Sequence, residues 1–260
     1  MKLEIKKAVC GYGSKVVVDG ISVKVESGEI LCLLGPNGVG KTTLFKTILG
    51  FLKLMSGKIT LNDQDIQNFS KKKLAMAIGY VPQAHIPSFP YNVLDVVTMG
   101  RTAHLGMFSS PSKADVKIAE EALETLDVSF LKHRIYTELS GGERQMILIA
   151  RALTQQSEIL VMDEPTSNLD FGNQVKVLEQ INKLAKMGIG IIMTSHFPDH
   201  AFLCSTKVAL LQKNNIFTVG SVEQVVTEEN LKSAYGVNVK IISSVNEQGK
   251  TIKSCVPLIS

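Results

Sequence analysis

Eight consecutive residues, Gly35-Pro36-Asn37-Gly38-Val39-Gly40-Lys41-Thr42, fit the pattern G-x-x-x-x-G-K-[ST]. In that pattern glycines let backbone N–H groups close around phosphate oxygens at a helix N-terminus, where the helix dipole favours an anion. Lys41 then reaches the β and γ phosphates of a nucleotide, the Thr42 hydroxyl ligates magnesium, and Thr43 belongs to the same phosphate-binding turn. Farther along, Asp163 and Glu164 end the apolar run Ile159-Leu160-Val161-Met162. The first carboxylate is suited to hold magnesium through its water shell, and the second to orient and deprotonate an attacking water. Leu139-Ser140-Gly141-Gly142-Glu143 opens an amphipathic stretch. Ser140 with Glu143 makes a capping box that would satisfy the first N–H groups of any helix. The two glycines cost stability in that turn, yet they leave N–H groups open to a large anion, and this chain offers no evident one. His196 and His200 have the i, i+4 spacing of a helical metal pair, but no H-E-x-x-H pattern accompanies them.

These residues need elements to position them. Short β-like segments at Leu3 to Ala8, Val16 to Val18 and Ile21 to Val25 precede the apolar run Ile30 to Leu34, so a strand feeds the glycine loop. Leu44, Phe45, Ile48 and Leu49 then share one helical face, with Gly50 as the C-terminal cap. From about Ala84 to Gln156 the pattern is mainly helical, with amphipathic stretches at Ala114 to Leu126 and Arg144 to Leu153 and a Ser/Pro-rich connection at Phe108 to Ser112. This reads as an inserted helical subdomain. Ile159 to Met162 and Ile189 to Met193 are continuously apolar, as suits a parallel sheet covered on both faces. Strand-like Val208 to Leu211 and Ile216 to Val219, helical Val222 to Val226 and Glu228 to Tyr235, and a small β unit at Val239 to Ser244 and Thr251 to Val256 complete the chain. The expected organisation is one α/β unit over 1–236, carrying the insertion at about 84–156, and a short C-terminal extension over 237–260.

The 260 residues are 45% hydrophobic and 20% charged, the balance of an ordinary folded protein rather than a disordered one. No apolar run approaches the length that spans a bilayer, and the N-terminus lacks a secretory h-region, so cytoplasmic residence is expected. Cys10, Cys32, Cys204 and Cys255 have no zinc-ligand spacing and read as reduced structural thiols. A net charge of +4 is too small to argue for nucleic acid, and Lys71-Lys72-Lys73 reads as a solvated helix face. No internal repeat suggests a tandem array.

Taken together, the phosphate loop, Leu139 to Glu143, Val161-Met162-Asp163-Glu164-Pro165 and Ser167-Asn168-Leu169-Asp170 resemble, in order and spacing, the nucleotide-binding subunits of ATP-binding-cassette transporters. The resemblance spans nearly the whole chain. It implies an ABC ATPase fold: a phosphate-loop NTPase core with a mainly parallel sheet, an N-terminal antiparallel β subdomain and an inserted helical subdomain. It also implies ATP and Mg²⁺ as the bound groups and a head-to-tail homodimer, in which Ser140, Gly141 and Gly142 of one copy close over ATP held by Gly35 to Thr42 of the other. That dimer supplies the missing anion. By the same resemblance Gln83 contacts magnesium and the attacking water, His196 is the switch histidine that hydrogen-bonds the γ-phosphate, and Asp170 contacts the opposite subunit. Tyr12 matches the aromatic residue that stacks on adenine, although a lone tyrosine after Gly11 also suits a turn or core position. Thr42, Glu143 and Asn168 replace the commoner Ser, Gln and Ala without removing a required functional group, so the resemblance implies an active ATPase.

A finer match runs through Val93-Leu94-Asp95-Val96-Val97, Met99-Gly100-Arg101, Pro111-Ser112 and Asp115, and through Tyr235-Gly236-Val237. These resemble the cassettes of importers for iron-siderophore, haem and cobalamin complexes; importers of molybdate share much of the pattern. The implied partners are two transmembrane permease subunits docking between the Gln83 loop and the helical subdomain, near Ser88 to Val97, with an extracytoplasmic substrate-binding protein completing the system. The chain would then sit peripherally on the cytoplasmic face of the membrane. A soluble mechanical cassette would bring a coiled coil or a second cassette. A phosphate-loop kinase would use Lys41 and Asp163 but has no need of Leu139 to Glu143 or His196.

Overall fold

The computed structural model describes residues 1–83, 89–106, 109–213, 216–247, 249 and 251–259. Strands β1 (Lys2–Tyr12), β2 (Lys15–Glu26), β4 (Ser56–Leu61) and β5 (Gln64–Asp65) form an antiparallel sheet in the order β2-β1-β4-β5. Its inward residues, among them Leu3, Ile5, Val23, Val25 and Ile59, alternate with charged neighbours such as Lys6 and Lys24, as a one-sided sheet requires.

The second sheet holds β3 (Ile30–Leu34), β6 (Ile78–Val81), β7 (Ile159–Met162), β8 (Gly190–Ser195), β9 (Lys207–Leu211) and β10 (Phe217–Gly220), in the order β10-β9-β3-β8-β7-β6. All its pairings are parallel except β9 with β10. The strands have no polar face because both faces are covered. Ile30, Cys32 and Leu34 join one hydrophobic cluster with the helices, while Leu31 and Leu33 join another with α1 (Lys41–Ile48) and the antiparallel sheet. Covering both faces is what turns the expected alternation into continuous apolar runs.

Between β6 and β7 the chain leaves the sheet and returns, carrying α3 (Val93–Thr98), α4 (Lys113–Thr125) and α5 (Gly141–Leu153), which pack on one another. The helical insertion, the parallel sheet and the antiparallel N-terminal sheet agree with the expected fold. Ala84, where the helical pattern was expected to begin, lies outside the described residues together with Phe108; the first helix of the insertion starts at Val93. Among the strands and α-helices, five carry no sequence expectation: β4, β5, β6 and the two helices over Phe171–Lys186 and Pro198–Cys204; α2 spans Lys71–Ala77. Lys71, Lys72 and Lys73 do lie on an exposed helix face, the first turn of α2, capped by Ser70.

After β7 come α6 (Phe171–Lys186), α7 (Pro198–Cys204), α8 (Val222–Val225) and α9 (Glu228–Tyr235). The last stretch pairs β11 (Val239–Val245) with β12 (Thr251–Pro257) as an antiparallel hairpin apart from both sheets. Among the described residues no helix is long and apolar enough to cross a membrane.

The Met99-Gly100-Arg101, Ser112 and Asp115 pattern folds into a packing knot inside the helical insertion. Gly100 lies so close to α5 that a Cβ would come 2.0 Å from the Arg151 carbonyl oxygen. The buried Arg101 Nε donates to Asp115 Oδ1 at 2.9 Å, and its Nη1 donates to the Thr154 carbonyl at 2.7 Å. Ser112 caps α4 in a reciprocal box with Asp115. The motif therefore ties a 3-10 turn, Met99–His104, to α4 and α5.

Candidate functional site

The parallel register brings the functional loops to one edge. Leu34 pairs with Ser195, Met162 with Met193, and Val81 with Met162. The segments that follow, starting at Gly35, His196, Asp163 and Pro82, therefore leave the sheet together at the carboxyl ends of the strands, where open α/β sheets bind ligands.

Within the loop, Gly35 has φ +147° and Gly40, the residue before α1, has φ +104°. A side chain at Gly35 would also place its Cβ 2.4 Å from the Leu211 carbonyl oxygen. Lys41, 6% exposed, curls back so that Nζ donates to the carbonyls of Gly35 at 2.6 Å and Pro36 at 3.0 Å. Burial pushes the Lys41 pKa down, and the Glu164 and Asp163 carboxylates push it up. Thr42 is exposed at the first turn of α1, while Thr43 is buried and accepts through its carbonyl from the Thr47 hydroxyl at 2.9 Å. The positive-φ residues Gly35, Gly38 and Gly40 and the N-terminus of α1 suit a polyphosphate, and Lys41 already lies among them.

The acidic half of the site is built on Thr194, fully buried at the end of β8. Its hydroxyl donates to Asp163 Oδ1 at 2.9 Å and accepts from the Glu164 backbone N–H at 2.8 Å. Burial raises the Asp163 pKa, the Thr194 hydrogen bond lowers it, and the neighbouring Glu164 adds to the rise. Glu164 adopts a left-handed backbone, φ +48°, which is uncommon outside glycine. Its Oε1 meets His196 Nε2, and its Oε2 accepts from Gln83 Nε2 at 3.4 Å. Gln83 also donates to Ser167 Oγ at 3.1 Å. His196 Nδ1 lies 3.4 Å from Lys41 Nζ. An ammonium can only donate, so this contact suits the tautomer in which Nδ1 accepts and Nε2–H points at Glu164. Lys41, His196, Glu164 and Gln83 thus form one chain of contacts, and Thr194 links Asp163 to it. Asp163, Thr42 and Gln83 offer oxygen donors, the ligand type magnesium takes.

His196 and His200 do not face each other. His196 precedes α7, whereas His200 is buried in it, with Nδ1 2.9 Å from Ser195 Oγ and 3.4 Å from Thr166 Oγ1. Burial pushes the His200 pKa down, which fits a neutral core histidine.

Other expected site residues lie apart from this set. Tyr12 is exposed at the tip of the β1–β2 hairpin with Lys46 Nζ 6.0 Å from its ring centroid, so it is not a core aromatic. Ser140 is exposed and caps α5 in the box expected with Glu143, N–H to Oε2 at 2.7 Å. Its two glycines have different reasons. Gly142 is buried, and a Cβ there would fall 2.5 Å from Asn173 Cγ, so it admits the Asn173 side chain of the same chain. Gly141 has no such neighbour closer than 3.5 Å. Asp170 caps α6, accepting from Asn173 N–H at 2.9 Å and from its amide at 2.6 Å. These hydrogen bonds hold the Asp170 pKa down, the backbone N–H first. Asn168 stands at φ +58°, a conformation asparagine tolerates better than alanine.

A buried lysine from a glycine loop, set against a histidine-held glutamate beyond a parallel sheet, is the arrangement of a phosphate-loop NTPase. Over residues 18–167 the chain matches the ABC transporter family. It belongs to that family and is an ATPase of it. An uncharacterised ABC transporter ATP-binding protein of Haemophilus influenzae is 42% identical over 93% of this chain and 92% of its own length. An ATP-binding protein assigned to iron chelatin transport in Helicobacter pylori is 36% identical over 93% and 96%. A molybdate import ATP-binding protein of H. influenzae is 37% identical over 83% and 80%. Among solved structures, a chain of a transporter assigned to the metal-chelate type, in an inward-facing conformation, superposes with TM-score 0.88 at 32% identity, over 99% of this chain and 97% of that one.

Proposed function

We propose that this chain powers an importer of a metal complex, such as an iron-siderophore, haem or cobalamin, and that it works as a head-to-tail dimer with two ATP sites. The observation that carries the hydrolytic reading is the Glu164 carboxylate, held by His196 and Gln83 beside the buried Lys41. ATP would bring the phosphoryl group to be transferred to water, and bound Mg²⁺ would supply positive charge against its phosphate oxygens. Lys41 exchanges its loop carbonyls for the β and γ phosphates, and the N–H groups of Gly38 to Thr43 close around them. Asn37 and Val39 complete the curve of that loop, and Tyr12 offers an exposed face to adenine. Thr42, Asp163 and Gln83 would hold the magnesium. Glu164 Oε accepts the proton of the attacking water as its oxygen bonds to the γ-phosphorus and the bond from the γ-phosphorus to the β–γ bridging oxygen breaks, releasing ADP and phosphate. His196, with Nε2–H facing Glu164, would turn between Glu164 and the γ-phosphate, so its hydrogen bond would report which is present.

The exposed Ser140 and its neighbour Gly141 stand at the N-terminus of α5, where the helix dipole favours an anion, which supports a second copy as the source of the phosphate they bind. Asp170 would face that copy across the same junction. The permease pair would dock beside α3, where Phe89 and Tyr91 are exposed with ring centroids 6.0 Å apart; Ser88, the start of the expected docking segment, lies outside the described residues. The chain would then lie peripherally on the cytoplasmic face of the membrane, with a binding protein outside delivering cargo. We take residues 1–236 as the cassette, with its helical insertion at about 84–156, and 237–260 as an added extension. The relationship to the molybdate protein supports a second reading of the cargo as an oxyanion.

The test of the catalytic reading is Glu164→Gln. Phosphate release should fall by at least about a hundredfold, nucleotide affinity should persist, and gel filtration should show a dimer formed only with ATP. Undiminished turnover would remove Glu164 from the base role. Uptake of labelled iron-siderophore against molybdate, by cells carrying the chain with its permease, separates the two cargo readings.

A further inference from the structure

The hydroxyl of Tyr235, the last residue of α9, accepts a hydrogen bond from the Gly35 backbone N–H at 3.1 Å, across 200 residues of sequence. Gly35 is the first residue of the phosphate loop, and its own carbonyl takes the 2.6 Å bond from Lys41. The two peptide units that flank the Gly35 Cα are therefore both held, the N–H by Tyr235 and the C=O by Lys41, at a backbone φ of +147°. The Leu211 carbonyl closes the remaining side, since a Cβ on Gly35 would meet it at 2.4 Å.

Tyr235 is itself held on several sides. Ser233 Oγ donates to Oε1 of the buried Gln212 at 2.7 Å, fastening α9 to the end of β9 beside the loop. Gly236 ends α9 in a left-handed turn, φ +73°, and the chain then enters the terminal hairpin. Glu228 accepts from the Ile241 N–H at 3.0 Å, which ties the hairpin back to α9. On its other strand, Asp199 Oδ1 accepts from the Ser254 hydroxyl and the Cys255 N–H, both at 2.8 Å. Asp199 lies in the first turn of α7, three residues beyond His196. The C-terminal segment thus touches the start of the phosphate loop at one end and the helix that follows His196 at the other.

We propose that Tyr235 is a positioning residue of the nucleotide site, and that α9 with the terminal hairpin is the frame that holds it. Fixing Gly35 fixes the carbonyl from which the Lys41 ammonium is presented to phosphate. Removing the hydroxyl frees the Gly35 N–H and lets the first turn of the loop wander, so nucleotide must reorder it on binding. The effect belongs to binding before chemistry, because Tyr235 does not reach Glu164 or His196.

This inference rests on the loop being the nucleotide site. Lys41→Ala tests that premise separately: if it leaves affinity for a fluorescent ATP analogue intact, the site reading fails. Given that Lys41→Ala abolishes binding, Tyr235→Phe in the full chain should weaken the analogue by about tenfold, raise KM for ATP in proportion and leave kcat within about twofold. Amide hydrogen exchange should quicken at Gly35 while Leu31 to Leu33 in β3 keep their protection. Unchanged affinity overturns the proposal. So does a loss of affinity that comes with faster exchange throughout β3, since that is general loosening. If Tyr235→Phe does not fold, exchange on the unaltered protein decides: Gly35 should be protected at least about a hundredfold over a free amide, and an unprotected Gly35 amide overturns the assignment.

Discussion

Thr194 carries more of the site than its position in the sequence suggests. It closes an apolar strand, and nothing about a threonine before Ser195 and His196 signals a role. Yet its single hydroxyl donates to Asp163 and accepts from the Glu164 N–H, so one buried oxygen aligns both carboxylates. Thr194→Val keeps the volume and removes both bonds, leaving a partly buried N–H without its partner, a loss worth about 1–3 kcal/mol. We expect kcat to drop by about tenfold or more, with melting lowered modestly; phosphate release and a thermal melt read the two together. An unchanged kcat would show that Glu164 is oriented by its own backbone and by His196 alone. Lys41, Asp163 and Glu164 announce themselves in sequence through motif spacing, and Gln83 only through the family resemblance. Thr194 was not legible because its contacts reach back 30 and 31 residues to a neighbouring strand. The glycines following Ser140 were legible only in part: Gly142 is explained by Asn173, a contact between the first turns of α5 and α6 that no local pattern contains.

At the scale of elements, continuous apolar runs found the strands that are buried on both faces, and helical periodicity found α4 and α5. The missed β4, β5 and β6 are short or half-exposed, and pairing rather than local composition makes them strands. The Met99-Gly100-Arg101 pattern was legible as a likeness to metal-chelate cassettes but not as packing. Gly100→Ala forces a methyl group against the Arg151 carbonyl and the Thr154 hydroxyl, both at 2.0 Å, and should destabilise the protein by about 2 kcal/mol. Denaturant unfolding measures that loss, and a midpoint equal to the unaltered protein's would mean the 3-10 turn shifts freely away from α5. Asp115 adds a pH dependence. The Ser112 hydroxyl, then Arg101, hold its carboxyl well below the usual aspartate range. A carboxylate depressed in the folded state contributes stability above its unfolded pKa, about 3.9, and loses it as pH falls through the folded value. Thermal melts of Asp115→Asn should therefore be lower than the unaltered protein's near neutrality and decline less steeply below about pH 4. Parallel acid limbs would show that Asp115 is not ionised in its pair with Arg101.

At the scale of the whole molecule the decisive question is which copy of the chain Ser140 serves. Within one chain, Ser140 bonds Glu143 and the chain of contacts from Lys41 to Gln83 does not include it. A site completed in trans makes a prediction that a site completed in cis cannot. Lys41→Ala spoils the loop half of the site, and Ser140→Arg spoils the other half while leaving nucleotide binding by the single chain largely intact. Each variant alone should hydrolyse almost no ATP. Mixed in equal amounts, half of the pairs in a twofold dimer are hybrids, and each hybrid combines the sound loop of one chain with the sound Ser140 of the other at one of its two sites. Phosphate release should then recover to at most about a quarter of the unaltered rate, if one sound site suffices. Recovery should rise with total protein concentration, because the hybrid must assemble. If Ser140 acts on the loop of its own chain, every site in every mixture carries a defect, and mixing restores nothing at any concentration.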